Sequence, residues 1–221
     1  YALDSWDEGQ RIVLKKNEDY FAGAANIGTI IFKIVPDDNT AALQLESGDL
    51  SLSQVTPKAA KKFDGKDDFN VYDMKTSDYR GILYNFNNEY WQKNADLIPA
   101  INYAIDKEAI VKSVILGEGE VAYGPLQRNK YNNSNVNHYD FDLKKSAEVF
   151  EAAGCTKDKD GYWTRDGKRI GFTINASPDD QVRIDMAQVA AQQLREAGLD
   201  VKAEVPAEGI DWAGQECCII G

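Results

Sequence analysis

Histidine and cysteine are the scarcest chemistry-bearing residues of this 221-residue chain: one of the first, His138, and three of the second, Cys155, Cys217 and Cys218. A single imidazole excludes the usual zinc sites, and a nucleophilic triad would have to rest on His138, which sits in an Asn-rich stretch of a chain with no Gly-x-Ser-x-Gly elbow. The cysteines lack metal-ligand spacing, and the adjacent Cys217 and Cys218 could bridge only through a strained ring, so all three are expected to be free, buried thiols. Basic charge is in deficit, with 25 Lys and Arg against 36 Asp and Glu and a net charge of −11, which excludes a nucleic-acid binder as the default reading. No apolar run approaches the roughly 18 residues of a membrane helix, and no basic-then-apolar leader opens the chain. A Walker-type Gly-Lys-Ser/Thr is missing, and Gly117-Glu118-Gly119 lacks the third glycine and preceding strand of a dinucleotide fingerprint.

What is present is the composition of a folded globular protein: 43% hydrophobic, 28% charged, 17 Gly and 6 Pro. Strand-like text opens it. Tyr1–Trp6 and Arg11–Lys15, joined through Asp7-Glu8-Gly9, read as a hairpin. The first residue already stands inside an element, as expected of a piece of a longer chain. Thr29–Val35 is a β-branched run ended by Pro36. Asp38-Asn39-Thr40 is expected to cap a helix Ala41–Glu46 that stops at Gly48, and Asp49–Val55 alternates as a strand, giving the pattern of a βαβ unit.

Thr56-Pro57 predicts a brief helix through Lys62. Phe69–Met74 and Arg80–Phe86 read as strands, and the polar Lys75–Asp78 between them as a domain boundary. Helices follow at Ile98–Ile105, at Lys107–Ile115 after the cap Asp106, and at Leu143–Ala153 between the cap Asp142 and the stop Gly154. Leu143, Ala147 and Phe150 predict the buried face of the last. Gly117–Asp140 is a loop long enough to be functional. Asp166-Gly167 predicts a type I′ turn within Tyr162–Ile170. Gly171–Ala176, a helix over Pro178–Ala197, the stop Gly198 and Leu199–Val205 predict a strand–helix–strand unit with parallel strands, and Cys217–Ile220 a final strand.

The carboxylate pairs Asp37-Asp38, Asp67-Asp68 and Asp179-Asp180 fall where helices begin or chains turn, so they are read as caps rather than as metal ligands or an acid–base pair. Binding chemistry remains: four Trp and 11 Tyr are a generous supply for both cores and pockets.

The order of segments resembles the family 5 extracellular solute-binding proteins, the oligopeptide, dipeptide and nickel receptors of ABC importers. The resemblance is carried by Tyr1, Leu3, Trp6 and Gly9 with Ile12–Phe21; Ile30–Ile34 followed by Ala42–Leu50; Asn85-Phe86-Asn87; Ala100–Lys107; Ala122-Tyr123-Gly124-Pro125-Leu126; and Leu194–Val201. These run in the family's order along the whole chain. One departure is Leu97-Ile98-Pro99, where members usually carry an arginine.

The resemblance implies an α/β fold of the type II periplasmic-binding-protein kind, with mixed sheets flanked by helices in an incomplete two-lobed receptor. Residues 1–76 would be the end of lobe one and 77–221 most of lobe two. It implies a non-enzymatic subunit without cofactor or metal, capturing an oligopeptide, a dipeptide or a nickel chelate between lobes and presenting it to permease subunits. A carbohydrate receptor of the same family is the alternative, then a non-transport interaction domain. The protein would be an extracellular or periplasmic monomer, exported and lipid-anchored through a segment outside this sequence. Ligand contacts are expected at Tyr79, Arg80 and Gly81 where the chain crosses into the cleft, at Tyr123, at Asn175 behind a strand end, at Trp212, and at Gly221 before a cleft loop.

Overall fold

The computed structural model describes residues 1–221. The chain divides into two compact units, Tyr1–Gln54 and Val55–Gly221. Lys75–Asp78 lies inside the second unit, as exposed chain without regular structure.

The first unit is an antiparallel meander of β1 (Ala2–Asp7), β2 (Arg11–Lys15) and β3 (Thr29–Lys33). Gly9, at φ 71°, turns the first hairpin, and Arg11 Nε donates to Asp7 at 2.7 Å across its base. Helix α1 (Asp38–Ser47) begins earlier than expected because Asp37 is its cap: the carboxylate accepts from Thr40 N at 2.9 Å and Thr40 Oγ1 at 2.7 Å. These bonds hold the Asp37 carboxyl below its ordinary value. Gly48, at φ 82°, ends the helix as expected.

Two expected strands are absent. Asp49–Val55 and Phe69–Met74 pair with nothing. Alternation suits a strand but cannot supply a partner ladder, and without one the pattern remains irregular chain. The expected βαβ unit is therefore not formed, and β3 is instead the third strand of the meander.

The second unit begins with α2 (Pro57–Ala60), capped by Thr56, and β4 (Gly81–Tyr84). Sequence reading missed the next helix, α3 (Glu89–Asn94), capped by Asn88. A 3₁₀ turn over Ala95–Leu97 leads into α4 (Ile98–Tyr103), where Pro99 occupies the first turn and Leu97 is buried. Next come α5 (Lys107–Val114), α6 (Leu143–Ala152), a small meander of β5 (Thr156–Lys157), β6 (Trp163–Arg165) and β7 (Lys168–Arg169), β8 (Gly171–Asn175), α7 (Gln181–Glu196), β9 (Asp200–Glu204) and β10 (Cys217–Ile220). Asp166 and Gly167, at φ 50° and 74°, make the expected β6–β7 turn. The main sheet runs β4-β10-β8-β9, with β10 antiparallel to β4 and parallel to β8, and β8 parallel to β9.

The core lies between this sheet and its helices. Ala187, Ala190, Ala191 and Leu194 are the buried stripe of α7, at helical spacing. Trp91 of α3 is fully buried, edge-on to Tyr84 and Phe172, and its Nε1 donates to Glu216 O at 2.7 Å. The buried face of α6 differs from expectation: Leu143 is 47% exposed, whereas Ser146 is buried beside Phe150. The small serine brings α6 against α4, and its hydroxyl donates to Ala100 O at 2.8 Å, so the buried polar group is satisfied. All three cysteines are free and buried, as expected.

At the amino end of β10, side chains complete the ladder with β8. The Glu216 carboxylate accepts from Thr173 N at 2.6 Å, and Cys217 Sγ donates to Thr173 O at 3.2 Å. Burial pushes the Cys217 thiol well above its ordinary value.

Candidate functional site

Strands β8, β9 and β10 are parallel, so their carboxyl ends share one edge of the sheet, the edge where open α/β sheets bind ligands. Antiparallel β4 enters there, with Gly81 opposite Ile220. Helix α7 starts at the same edge behind its cap Asp180, the positive end of its dipole facing outward.

Five of the seven expected contacts gather here. Tyr79 folds its ring over Gly81: a Cβ on that glycine would stand 2.6 Å from the phenol oxygen and displace the ring. Partial burial raises the Tyr79 phenol above its ordinary value. Arg80 Nη1 donates to both carboxylate oxygens of Asp180, at 2.8 and 2.7 Å, and its Nε to Asp78 at 3.3 Å. Asn175 is buried at the end of β8, its amide making a long 3.4 Å bond to Cys217 O. Gly221 follows β10, and its carbonyl accepts from Arg183 Nη2.

Asp180 and Arg183 were missed as members of this group. Asp179-Asp180 was legible as a cap, and Asp180 is one, accepting from Arg183 N at 3.0 Å. That the same carboxylate receives a guanidinium 100 residues away is a consequence of topology that no local pattern carries.

The other two expected contacts lie elsewhere. Trp212 is 61% exposed on the return from β9 to β10. The adjoining Asp211–Gln215 turn is tied to the opposite end of β10 by Asn85 Nδ2, which donates to Ala213 O and Gln215 O at 3.1 and 2.8 Å, and by Asn88 Nδ2, which donates to Gly214 O at 3.2 Å. Tyr123 belongs to the long loop after α5. Its hydroxyl donates to Asp140 at 2.6 Å, a bond that raises the phenol's pKa, and its ring stacks on His138 with centroids 3.9 Å apart. Lys107 anchors this loop through Tyr139 O, and the neighbouring Asp106 N donates to Gln193 at 2.9 Å, about 18 Å along α7 from the helix start.

No group of three or more His, Cys, Asp or Glu residues is placed to hold a metal ion. The edge presents strand-end main chain, a buried amide, a phenol and ion pairs.

The sequence matches the family of bacterial extracellular solute-binding proteins, family 5 Middle, over residues 1–215. The oligopeptide-binding protein AppA of Bacillus subtilis (strain 168) is 33% identical over 220 residues, covering 96% of this chain and 39% of AppA. The crystal structure of NikZ from Campylobacter jejuni in complex with Ni(L-His) superposes with a TM-score of 0.90 at 29% identity, over 99% of this chain and 44% of NikZ. The structure of AppA from Bacillus subtilis in complex with a nonapeptide gives a TM-score of 0.79 at 29% identity, over 99% of this chain and 45% of that one. The chain thus spans about two fifths of the length of the curated relatives it matches. Its fold is that of the type II periplasmic binding proteins, and the chain belongs to the family 5 bacterial extracellular solute-binding proteins.

Proposed function

We propose that this chain is part of the substrate-binding subunit of an ABC importer, and that the carboxyl edge of its four-stranded sheet forms one wall of a cleft for a peptide-like solute. Residues 1–76 belong to the end of lobe one and 77–221 to lobe two. The observation that carries the reading is the convergence of Tyr79, Arg80, Gly81, Asn175 and Gly221 on one strand-end edge, in a chain 33% identical to an oligopeptide-binding protein. Tyr123 and Trp212 lie apart from that edge, and the wall does not include them. A nickel chelate is the second reading, favoured by the 0.90 TM-score to NikZ, whose structure holds Ni(L-His).

The mechanism follows from linkage. Ligand binds the closed arrangement of lobes better than the open one and so shifts the population toward closure, which the permease reads. Strand-end main chain suits an extended peptide, whose backbone supplies affinity while its side chains are read loosely. The receptor acts outside the cytoplasmic membrane as a monomer and performs no catalysis.

The test is the thermal stability of the full-length protein against di- to nonapeptides, Ni(II) with L-histidine, and oligosaccharides. A ligand at one hundred times its Kd adds about 2.7 kcal/mol. An upward shift with peptides supports the first reading and a shift with the nickel chelate alone the second. A shift with oligosaccharides alone overturns both, and a folded protein that responds to none of the three overturns transport of these solutes.

A further inference from the structure

Arg80 stands where a ligand contact is expected, yet two of its three nitrogens are engaged within the chain. One nitrogen, Nη1, serves both oxygens of Asp180, and Nε faces Asp78. The Asp180 carboxylate also caps α7 through Arg183 N and lies 3.2 Å from Arg183 Nε. Arg183 Nη2 in turn donates to Gly221 O. Gly221 packs so closely on the segment entering β4 that a Cβ would stand 2.5 Å from Tyr79 O and 2.8 Å from Arg80 Cγ. The side chains of Arg80, Asp180 and Arg183 keep only 24%, 20% and 23% of their exposure. These ion pairs are therefore partly withdrawn from water, where geometry costs more to lose than it does on an open surface.

We propose that Asp180 is a positioning residue of the carboxyl edge. Its one carboxylate holds the entry to β4 through Arg80 and, through Arg183, the exit of β10, so that Arg80 acts on ligand binding through Asp180 and not by touching the ligand. The effect on ligand rests on the reading of this edge as a cleft wall. The coupling among the three segments does not.

The experiment separates cap from charge. Asparagine caps a helix as well as aspartate does, so Asp180→Asn keeps the start of α7 while discharging the partner of Arg80. Asp180→Asn, Arg80→Gln and the double variant are made in the full-length protein. Without ligand, hydrogen exchange is followed in the segments around 79–81 and 181–184. Arg80→Gln is expected to speed exchange in the first turn of α7, and Asp180→Asn to speed it at Arg80 and Gly81, each about fivefold, with no further gain in the double variant. Exchange that stays unchanged across the pair overturns the proposal whatever the ligand.

Affinity is then measured for a nonapeptide and for Ni(II) with L-histidine. The two single variants are expected to weaken binding by the same factor, about three- to tenfold, and the double variant no further. If Arg80→Gln costs clearly more than Asp180→Asn, or the losses add, Arg80 touches the ligand and the proposal is overturned. If exchange is coupled but unmodified protein binds neither probe, the cleft-wall reading fails while the coupling of the entry to β4 with the start of α7 through Asp180 stands.

Discussion

Helices α6 and α7 end in the same motif, which allows backbone strain to be measured apart from steric exclusion. In α7, Leu199 N donates to Leu194 O at 2.9 Å and Gly198 N to Arg195 O at 3.0 Å. In α6, Cys155 N donates to Phe150 O at 2.9 Å and Gly154 N to Glu151 O at 2.9 Å. Each sets a left-handed glycine just before a buried residue, Cys155 or Leu199, whose N–H bonds back to a buried residue of the last turn, Phe150 or Leu194. A Cβ on Gly154 would meet nothing within 4 Å, so Gly154→Ala costs only the left-handed backbone, about 1 kcal/mol. A Cβ on Gly198 would stand 2.7 Å from Gly161 O and 3.4 Å from the Trp163 ring. Neither neighbour can give freely. Gly161 sits in the β5–β6 turn that Asp158 holds, and Trp163 donates from N to Gly198 O at 2.7 Å and from Nε1 to Ala197 O at 3.1 Å. Relief by displacement loses one or both of these bonds, each worth about 1 kcal/mol, so Gly198→Ala should cost about 2–3 kcal/mol in all. The assay is urea unfolding of the full-length protein followed by tryptophan fluorescence, comparing midpoints of the two variants. Equal losses, or a loss below about 1 kcal/mol for Gly198→Ala, would refute the steric part of the reasoning.

Trp91→Phe removes the bond to Glu216 O and leaves space in a fully buried site, and should destabilise by about 2–3 kcal/mol in the same unfolding assay. Cys155, Cys217 and Cys218 are buried, with thiols raised by desolvation, so alkylation by iodoacetamide at neutral pH should leave them unmodified in native protein and modify all three in urea, as read by peptide mass spectrometry. Asp96, held below its ordinary value first by its hydrogen bond from Arg165, is a depressed carboxyl. Its contribution is complete above the unfolded value near 3.8 and is lost as pH falls through the lower folded value, so Asp96→Asn should flatten the decline in stability between about pH 5 and pH 2.

Local chemistry was legible wherever a residue acts on its own neighbours. Asp106, Asp142, Asp180 and Thr56 cap the helices that begin beside them, Gly154 and Gly198 stop theirs, and Asp166-Gly167 makes its turn, because each effect closes within a few residues. The failures are of a different kind. Asp49–Val55 and Phe69–Met74 carry strand patterns, but pairing depends on a partner that the segment does not contain. Leu143 sits at the right helical spacing to be buried, yet α6 turns toward α4 on Ser146, whose hydroxyl has an acceptor waiting on another helix. The α3 helix was hidden because its six residues are too few to show a periodic apolar face, and its anchor, the Glu216 O that Trp91 reaches, lies far along the chain.

The candidate site divides along the same line. Residues 79–81, 175 and 221 meet because β10 is central, antiparallel to β4 on one side and parallel to β8 on the other, which carries three remote segments to one edge. The same topology sends the return from β9 back across the sheet before β10 begins, and so puts the Asp211–Gln215 turn beside Asn85 and Asn88. The turn that carries Trp212 adjoins the amino end of β10, and Gly221 follows its carboxyl end. The span of β10 separates them, about 10 Å or more at the usual rise per residue. On the proposed reading of this edge as a cleft wall, recognition would rest on groups already held by the sheet and by the Asp180 carboxylate, and Trp212 would serve a different surface.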